Sequence, residues 1–187
     1  MAIGCGHGAR VGRSFARIGF MSRSFDIRIE SPSSVEQIHA AFGSEEYWLA
    51  RLKASNAPTT LDSLEVDEDG TVSMRATQHV SRQIMPTLIA RAVPGELKIV
   101  HSETWRSVAG GEVRGQINVV TSGGLGSGRA DAVMAPAGDG AKLRFAVEVA
   151  VKIPLVGRKL EKSMQADLAE SIPALQRFTS TWIAENT

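Results

Sequence analysis

Residues 142–185 read KLRFAVEVAVKIPLVGRKLEKSMQADLAESIPALQRFTSTWIAE, and their hydrophobic period changes once along this stretch. Up to residue 153 the apolar side chains stand at every second position, which predicts a half-buried strand. After that they recur at three- and four-residue spacing, which predicts a long amphipathic helix. An interior proline removes a helical hydrogen bond, so we expect Pro173 to bend this helix near Ala169. The apolar stripe of the helix consists of Val156, Leu160, Met164, Leu168, Ile172, Leu175, Phe178 and Trp182.

Upstream of residue 142 the sequence predicts six more strands, most of them joined by short turns. Asp-Gly at 69–70, Gly-Gly at 110–111 and Gly-Asp-Gly at 138–140 are typical of tight turns. Consecutive strands joined in this way pair antiparallel. Residues 84–93 are apolar with a proline near each end, and they form either a short helix or a crossing loop. The six strands span residues 24–30, 61–67, 71–81, 97–106, 112–121 and 125–135.

Two short helices are predicted after the first strand. Ser31 is a candidate cap for the first helix, and Ser33 with Glu36 forms an alternative capping box. Ser44 can cap the second helix. The fold class is therefore α+β, with a curved antiparallel sheet of about seven strands around a long C-terminal helix. Because a strongly twisted sheet cannot lie flush against one helix, a ligand-sized space can remain between them.

The chain divides at about residue 24. Residues 1–23 contain four arginines, no acidic residue and no apolar run of the roughly 7–15 residues that a signal peptide needs. We interpret them as a disordered N-terminal arm or a mis-assigned start, with Met21 as a candidate first residue. A basic arm that contacts a membrane surface or a partner is the alternative. Residues 24–187 are expected to form one ligand-binding domain.

The charge balance and the cysteine content narrow the class of protein. Without the four arginines before Ser24, 17 basic residues face 20 acidic ones, so the domain carries about −3. A nucleic-acid-binding protein is expected to have a basic surface instead, which argues against that class. No apolar run approaches the roughly 18 residues that cross a bilayer. Cys5 is the only cysteine, which fits a reducing compartment, and we predict a cytoplasmic protein.

Residues 149–161, VAVKIPLVGRKLE, join the last strand to the last helix. Together with the strand that leads through Ser31 and Pro32 into a helix, this stretch resembles the START-like (SRPBCC, polyketide cyclase-like) superfamily with its helix-grip fold. The junction is similar to that of the actinobacterial domain-of-unknown-function family 2505. The resemblance covers about residues 24–186 and implies a hydrophobic cavity for a lipid-like or polyketide-like molecule. It implies no single activity, because members of the superfamily include carriers, cyclases and chaperone regulators.

The candidate site residues lie on the predicted inner face of the sheet and on the helix stripe. His101 and Glu103 share a face and could act as an acid-base pair if burial raises the carboxyl pKa. Alternatively, they satisfy each other's hydrogen bonds or face an edge, and we predict no complete catalytic set. Gln78 either orients a polar ligand group or lies near solvent at a strand end. The predicted ligand-binding residues are Trp48, Leu52, Met74, Ala76, Gln78, Ile99, His101, Glu103, Trp105, Ile117, Val119, Phe145, Val147, Val149, Leu160, Met164 and Leu168.

Three further features of the sequence are not predicted to take part in catalysis. Glu161 either accepts a backbone hydrogen bond at the strand–helix junction or lines the cavity mouth. The four histidines follow no metal-binding spacing, and one cysteine cannot build a zinc site, so we expect neither a metal nor a cofactor. The glycine-rich residues 123–128 lack the ending of a phosphate-binding loop and are interpreted as a turn.

The predicted function is the binding or carriage of a small hydrophobic ligand, such as a lipid, a polyketide or an isoprenoid-like compound, between the sheet and the C-terminal helix. One alternative is a polyketide cyclase-like enzyme that uses Glu103 and His101. The other is a protein-interaction or chaperone-regulator module with a closed cavity. That last alternative predicts no cavity of roughly 300 Å³ or more, the lower end of typical ligand sites.

Overall fold

A long C-terminal helix crosses one face of a seven-stranded sheet in the computed structural model, which describes residues 23–54, 57–83, 85, 87–93, 95–153 and 157–186. A single 3₁₀ turn, Ser122–Gly124, separates the fifth and sixth strands. The predicted arm at 1–23 lies outside the described residues except for Arg23. The elements are β1 (Arg23–Ser31), α1 (Val35–Phe42), α2 (Glu45–Lys53), β2 (Thr59–Val66), β3 (Val72–Val80), α3 (Thr87–Ala92), β4 (Leu97–Val108), β5 (Glu112–Thr121), β6 (Gly126–Ala137), β7 (Gly140–Val151) and α4 (Gly157–Asn186).

The sheet is an antiparallel meander with one exception in strand order. Its strands lie side by side in the order β1-β7-β6-β5-β4-β3-β2, and every neighbouring pair is antiparallel. β1 therefore pairs with the last strand and not with the next one, and α1 and α2 make the crossing between the two edges. The predicted α+β fold, with two short helices after the first strand, is confirmed.

The two short helices begin at serines with extended backbones. Ser34 caps α1: its Oγ accepts from the backbone N–H of Gln37 at 3.2 Å, while Gln37 Oε1 accepts from the Ser34 N–H at 2.9 Å. The predicted caps at Ser31 and at Ser33 with Glu36 were wrong, because Ser31 still belongs to β1 and glutamine closes the capping box one position later. The predicted cap of α2 at Ser44 is confirmed, since its Oγ accepts from the Tyr47 N–H.

The buried side of α4 differs from the predicted stripe. Its fully buried residues are Gly157, Glu161, Gln176, Thr179 and Ile183. The stripe residues that are described are only partly buried or exposed, and most of them line an internal cavity. The helix is continuous through Pro173, and the bend near Ala169 stays a prediction. The predicted helix start at residue 154 and the stripe residue at 156 lie outside the described residues.

Aromatic side chains fill the space at the α1 and α2 end of the sheet. Phe42 packs against Tyr47, Trp48 and Trp105 with ring centroids 4.8–5.9 Å apart, and Tyr47 also meets Trp182 of α4. At the opposite end of β4, a second and smaller cluster consists of Met85, Val93 and Leu97, with partly buried neighbours from α3. Among the described residues, no helix is both long and apolar enough to cross a bilayer.

Candidate functional site

A cavity of about 410 Å³ lies between the inner face of the sheet and α4. Strands β4 to β7 provide its floor, and α4 provides its roof from Leu160 to Thr179. Aliphatic and aromatic side chains make up most of the lining. Its volume falls within the range of roughly 300–1,000 Å³ that is typical of small-molecule sites.

Twelve of the residues predicted to bind a ligand line this cavity. Period-two alternation places the inward-facing residues of three strands on its floor, and α4 contributes three residues to its roof. That any of them contacts a ligand stays a prediction. These twelve are Ile99, His101, Glu103, Trp105, Ile117, Val119, Phe145, Val147, Val149, Leu160, Met164 and Leu168.

The remaining five predicted residues do not line the cavity. Trp48 and Leu52 of α2 and Met74 and Ala76 of β3 pack in the hydrophobic core instead. Gln78 is half-buried near the end of β3, where it pairs with Ile99 of β4. The reason is the position of α2, which packs against β2 and reaches over to β4, so that it covers the sheet edge where these residues lie.

A polar cluster stands in the otherwise apolar wall, with Glu103 at its centre. Glu103 Oε1 lies 2.9 Å from Arg51 Nη2 and 3.1 Å from His101 Nε2, and Glu103 Oε2 accepts a hydrogen bond from Trp105 Nε1 at 2.7 Å. We call these four residues the Glu103 cluster. Three of them are alternate residues of β4, so the pleat alone brings them to one face. The carboxylate is buried but accepts three hydrogen bonds, as a buried charge requires.

The indole of Trp105 reaches Glu103 because the neighbouring strand has no side chain at that point. Trp105 pairs with Gly115 of β5, and a Cβ at Gly115 would overlap the six-membered ring of the indole. The sheet therefore provides a slot one residue wide for this ring. Trp105 is 2% exposed, so its N–H depends on Glu103 for a partner.

The ionisation of Glu103 differs from the sequence-based expectation. Burial by itself raises the pKa of this carboxyl, but the charge of Arg51 and the hydrogen bonds from His101 and Trp105 outweigh it and lower the pKa from 4.5 to about 2. The rise in the carboxyl pKa that an acid-base role would need is therefore absent, because Arg51 is a counter-ion that the strand pattern does not reveal. At neutral pH Glu103 is a carboxylate with no proton to donate, and with so low a pKa it is a weak base.

Arg51 is the functional candidate that the sequence argument missed. Its side chain is 14% exposed, its guanidinium lies 4.7 Å from the centre of the Trp48 ring, and it lines the cavity. Burial lowers its pKa, yet Glu103 and Tyr47 raise it more, so the net shift is upward. One signal was available: Tyr47 and Arg51 are four residues apart on a helix, and such residues share a face.

A second polar contact joins α2 to the roof of the cavity. The Tyr47 hydroxyl and Thr179 Oγ1 of α4 are 2.8 Å apart, and Thr179 also donates to the Leu175 carbonyl at 2.9 Å. Burial raises the pKa of the Tyr47 phenol, which is therefore neutral at physiological pH. This pair therefore joins α2 to α4 at the cavity wall.

Glu161 holds the junction between β7 and α4. Its Oε1 accepts the backbone N–H of Val151, the last residue of β7, at 2.9 Å. Gly157 lies so close that a Cβ there would come within 2.6 Å of the Val151 carbonyl oxygen. The predicted backbone hydrogen bond of Glu161 is confirmed. Within the described ranges, no group of three or more histidine, cysteine, aspartate or glutamate side chains could hold a metal ion.

Comparisons with known proteins agree with this architecture. The family model described as "Protein of unknown function (DUF2505)" matches residues 26–183. Uncharacterized protein Rv0481c of Mycobacterium tuberculosis is 32% identical over 180 residues, which cover 89% of this chain and 99% of that protein.

Two solved structures illustrate the likeness in fold. TTHA0849 from Thermus thermophilus gives a TM-score of 0.53 at 15% identity, covering 88% of this chain and 99% of that one. Protein Ms6760 from Mycobacterium smegmatis gives a TM-score of 0.53 at 8% identity, covering 88% and 92%. At such identities the likeness concerns the fold alone, and it is consistent with the START-like fold that the sequence resembles. On the family match and the mycobacterial relative, the chain belongs to the DUF2505 family of proteins of unknown function.

Proposed function

We propose that the protein binds one small hydrophobic molecule, of the lipid, polyketide or isoprenoid-like class, between the sheet and α4. The observation that carries the proposal is a cavity of about 410 Å³ with a mostly apolar wall. Its polar lining residues outside the Glu103 cluster are Tyr47, Thr121, Ser127, Arg129, Gln176 and Thr179. A cavity of this size and character is the usual form of a small-molecule site. Its volume is near the lower end of the usual range, so we expect one ligand per protein.

The partial exposure of the α4 stripe supports the same proposal. Met164 and Leu175 are 37% and 38% exposed although both line the cavity. Apolar surface left uncovered in this way lowers stability by roughly 25 cal/mol for each Å² compared with a packed core. A bound apolar molecule would cover the part of this surface that faces the cavity and recover the corresponding free energy.

The two alternative functions receive less support. A closed-cavity interaction module predicts no cavity above roughly 300 Å³, and the observed volume speaks against it. A cyclase-like enzyme needs a titrating acid or base, whereas Glu103 has a pKa of about 2 and is held by three donors. The Glu103 cluster is better suited to orient a polar ligand group than to transfer a proton.

Native mass spectrometry of the gently purified chain tests the proposal. We expect an added mass that corresponds to a co-purified apolar molecule, or, after delipidation, binding of the neutral fluorescent probe N-phenyl-1-naphthylamine. The variant Ala130→Leu extends a cavity-lining side chain into the space and should weaken probe binding at least tenfold.

The matched control is Ala146→Leu. Ala146 lies on the exposed face of β7, so the same substitution there leaves the cavity unchanged. We expect Ala146→Leu to bind the probe like the unaltered chain. If several preparations yield only the bare mass and the probe does not bind, the proposed function is wrong. Equal probe binding by Ala130→Leu and Ala146→Leu would show that the probe binds outside this cavity.

A further inference from the structure

The hydrogen-bonding state of His101 is fixed by its neighbour. Glu103 is an ionised carboxylate that can only accept hydrogen bonds, and its Oε1 lies 3.1 Å from His101 Nε2. His101 Nε2 must therefore carry the proton and donate it. In a neutral imidazole the other ring nitrogen is then an acceptor. With a single ring proton, placed on Nε2 by Glu103, His101 presents Nδ1 as a hydrogen-bond acceptor.

His101 is also the member of the cluster with the most accessible side chain. Its side chain is 28% exposed, compared with 14% for Arg51 and 1% for Glu103. It lies on the inner face of β4, between Ala76 and Val119 of the neighbouring strands, and it lines the cavity. A molecule in the cavity therefore meets the imidazole before it meets the buried carboxylate.

The charge of the cluster is balanced before any ligand arrives. The positive charge of Arg51 is paired with Glu103 at 2.9 Å, and the guanidinium also lies over the Trp48 ring. An anionic ligand group would have to lose its hydration in an apolar cavity where the described lining residues offer no unpaired cation, since Arg129 pairs with Asp131 at 3.4 Å. Burial of a carboxylate without such a partner is strongly unfavourable. An uncharged hydroxyl avoids this cost and can donate to an acceptor nitrogen.

We propose that the ligand has an uncharged hydroxyl group that donates a hydrogen bond to His101 Nδ1, so that the cavity selects long-chain or polycyclic alcohols over carboxylic acids with the same apolar skeleton. This inference rests on the proposed function. It deepens that function, because it assigns the chemical class of the ligand's polar group and the atom that recognises it.

The test compares 1-dodecanol with dodecanoate as competitors for N-phenyl-1-naphthylamine, in the full chain at pH 8. At this pH the fatty acid is ionised, whereas the alcohol is uncharged. We expect dodecanol to bind at least tenfold more tightly than dodecanoate. Dodecanoate binding as tightly as dodecanol, or more tightly, would overturn the inference while leaving the proposed function intact.

Two substitutions at His101 separate its two nitrogens. In His101→Gln the amide N–H can replace Nε2 as a donor to Glu103, but the acceptor at the Nδ1 position is lost. In His101→Asn the amide oxygen can replace Nδ1, but the donor to Glu103 is lost. We expect His101→Gln to bind dodecanol more weakly and so to reduce the tenfold preference, and His101→Asn to retain most of both.

The outcomes are distinguishable from one another. An unchanged affinity for dodecanol in folded His101→Gln would show that Nδ1 does not recognise the alcohol, and the inference would be wrong. If neither the probe nor any competitor binds the unaltered chain, the proposed function fails and the inference fails with it. Circular dichroism and thermal unfolding of each variant confirm that a loss of preference does not result from a loss of fold.

Discussion

Arg51 Nη2 of α2 lies 2.9 Å from Glu103 Oε1 of β4, and this contact ties a helix at the sheet edge to the wall of the cavity. The carboxylate is 1% exposed and has lost its hydration, so the ion pair and the two hydrogen bonds from the same strand replace water. The pair therefore has two roles in the fold. It holds α2 over the sheet, and it keeps the one fully buried carboxylate among the described lining residues ionised.

Substitution of Arg51 should reveal the free-energy cost of burying the Glu103 carboxylate. We expect Arg51→Met to lower the free energy of unfolding by about 3–5 kcal/mol, because it leaves a buried charge without its partner. Urea unfolding followed by circular dichroism measures the loss. The double variant Arg51→Met with Glu103→Leu should recover much of that free energy, since it removes both charges.

The matched control, Arg75→Met, breaks an exposed contact of 3.9 Å to Asp62 and should cost at most about 1 kcal/mol. Equal losses in Arg51→Met and Arg75→Met would contradict this account.

The depressed pKa of Glu103 gives the stability a defined dependence on pH. In the unfolded chain the carboxyl titrates near 4.5, and in the folded chain near 2. The resulting stabilisation is fully present above pH 4.5 and is lost as the pH falls toward 2. It amounts to about 3 kcal/mol. Because Glu103→Gln has no such group, we expect its free energy of unfolding to decline less steeply between pH 5 and 2.5. Parallel curves for the two proteins over that interval would show that Glu103 is not held ionised.

Local sequence patterns were sufficient to predict which residues form the floor of the cavity. Alternation along 97–106 and 142–153 places Ile99, His101, Glu103 and Phe145 on the inner face, and the structure agrees. The spacing along α4 likewise identified Leu160, Met164 and Leu168 as part of the roof. These assignments depend only on the period of the element that carries the residue, so a single sequence can provide them.

The positions of the residues that were predicted wrongly depend on how the helices and strands pack against one another. Met74 and Ala76 have the same alternation as the floor residues, but they pack in the hydrophobic core outside the cavity, and no local pattern reveals which part of the sheet face the cavity occupies. The pKa of Glu103 has the same origin. Burial was predictable from the strand, whereas the counter-ion comes from Arg51, which precedes it in the chain by 52 positions. The packing of the elements against one another therefore determines both which residues line the cavity and the pKa of Glu103.

The slot at Gly115 is a second place where packing between strands controls the site. We expect Gly115→Ala to displace the Trp105 ring and to lower the free energy of unfolding by about 1–3 kcal/mol, because a core with no space for added volume must shift. Displacement should also break the Trp105 Nε1 hydrogen bond to Glu103. The near-ultraviolet circular dichroism of the tryptophans and urea unfolding measure the two effects.

The control for that substitution is Gly128→Ala, on the neighbouring strand. A Cβ at Gly128 would meet Val119 and Glu148 only at 3.7 and 3.9 Å, which are ordinary contacts. We expect this variant to be as stable as the unaltered chain within about 0.5 kcal/mol, with an unchanged tryptophan spectrum. A Gly115→Ala spectrum identical to that of Gly128→Ala would mean that the indole does not need the slot.

The hydrogen bond from the Val151 N–H to Glu161 Oε1 should anchor the start of α4 to the sheet. Glu161 is 7% exposed, so its removal leaves a poorly hydrated backbone donor without a partner. We expect Glu161→Ala to lower the free energy of unfolding by about 1–3 kcal/mol, the usual cost of such an unsatisfied group. Glu170→Ala removes an exposed glutamate from the same helix and should change stability by no more than about 0.5 kcal/mol.

Hydrogen exchange at the Val151 amide gives a second readout, because the protection of this amide should fall in Glu161→Ala and persist in Glu170→Ala. Unchanged protection in both variants would show that the junction is held by the close approach of Gly157 to Val151 and not by the carboxylate.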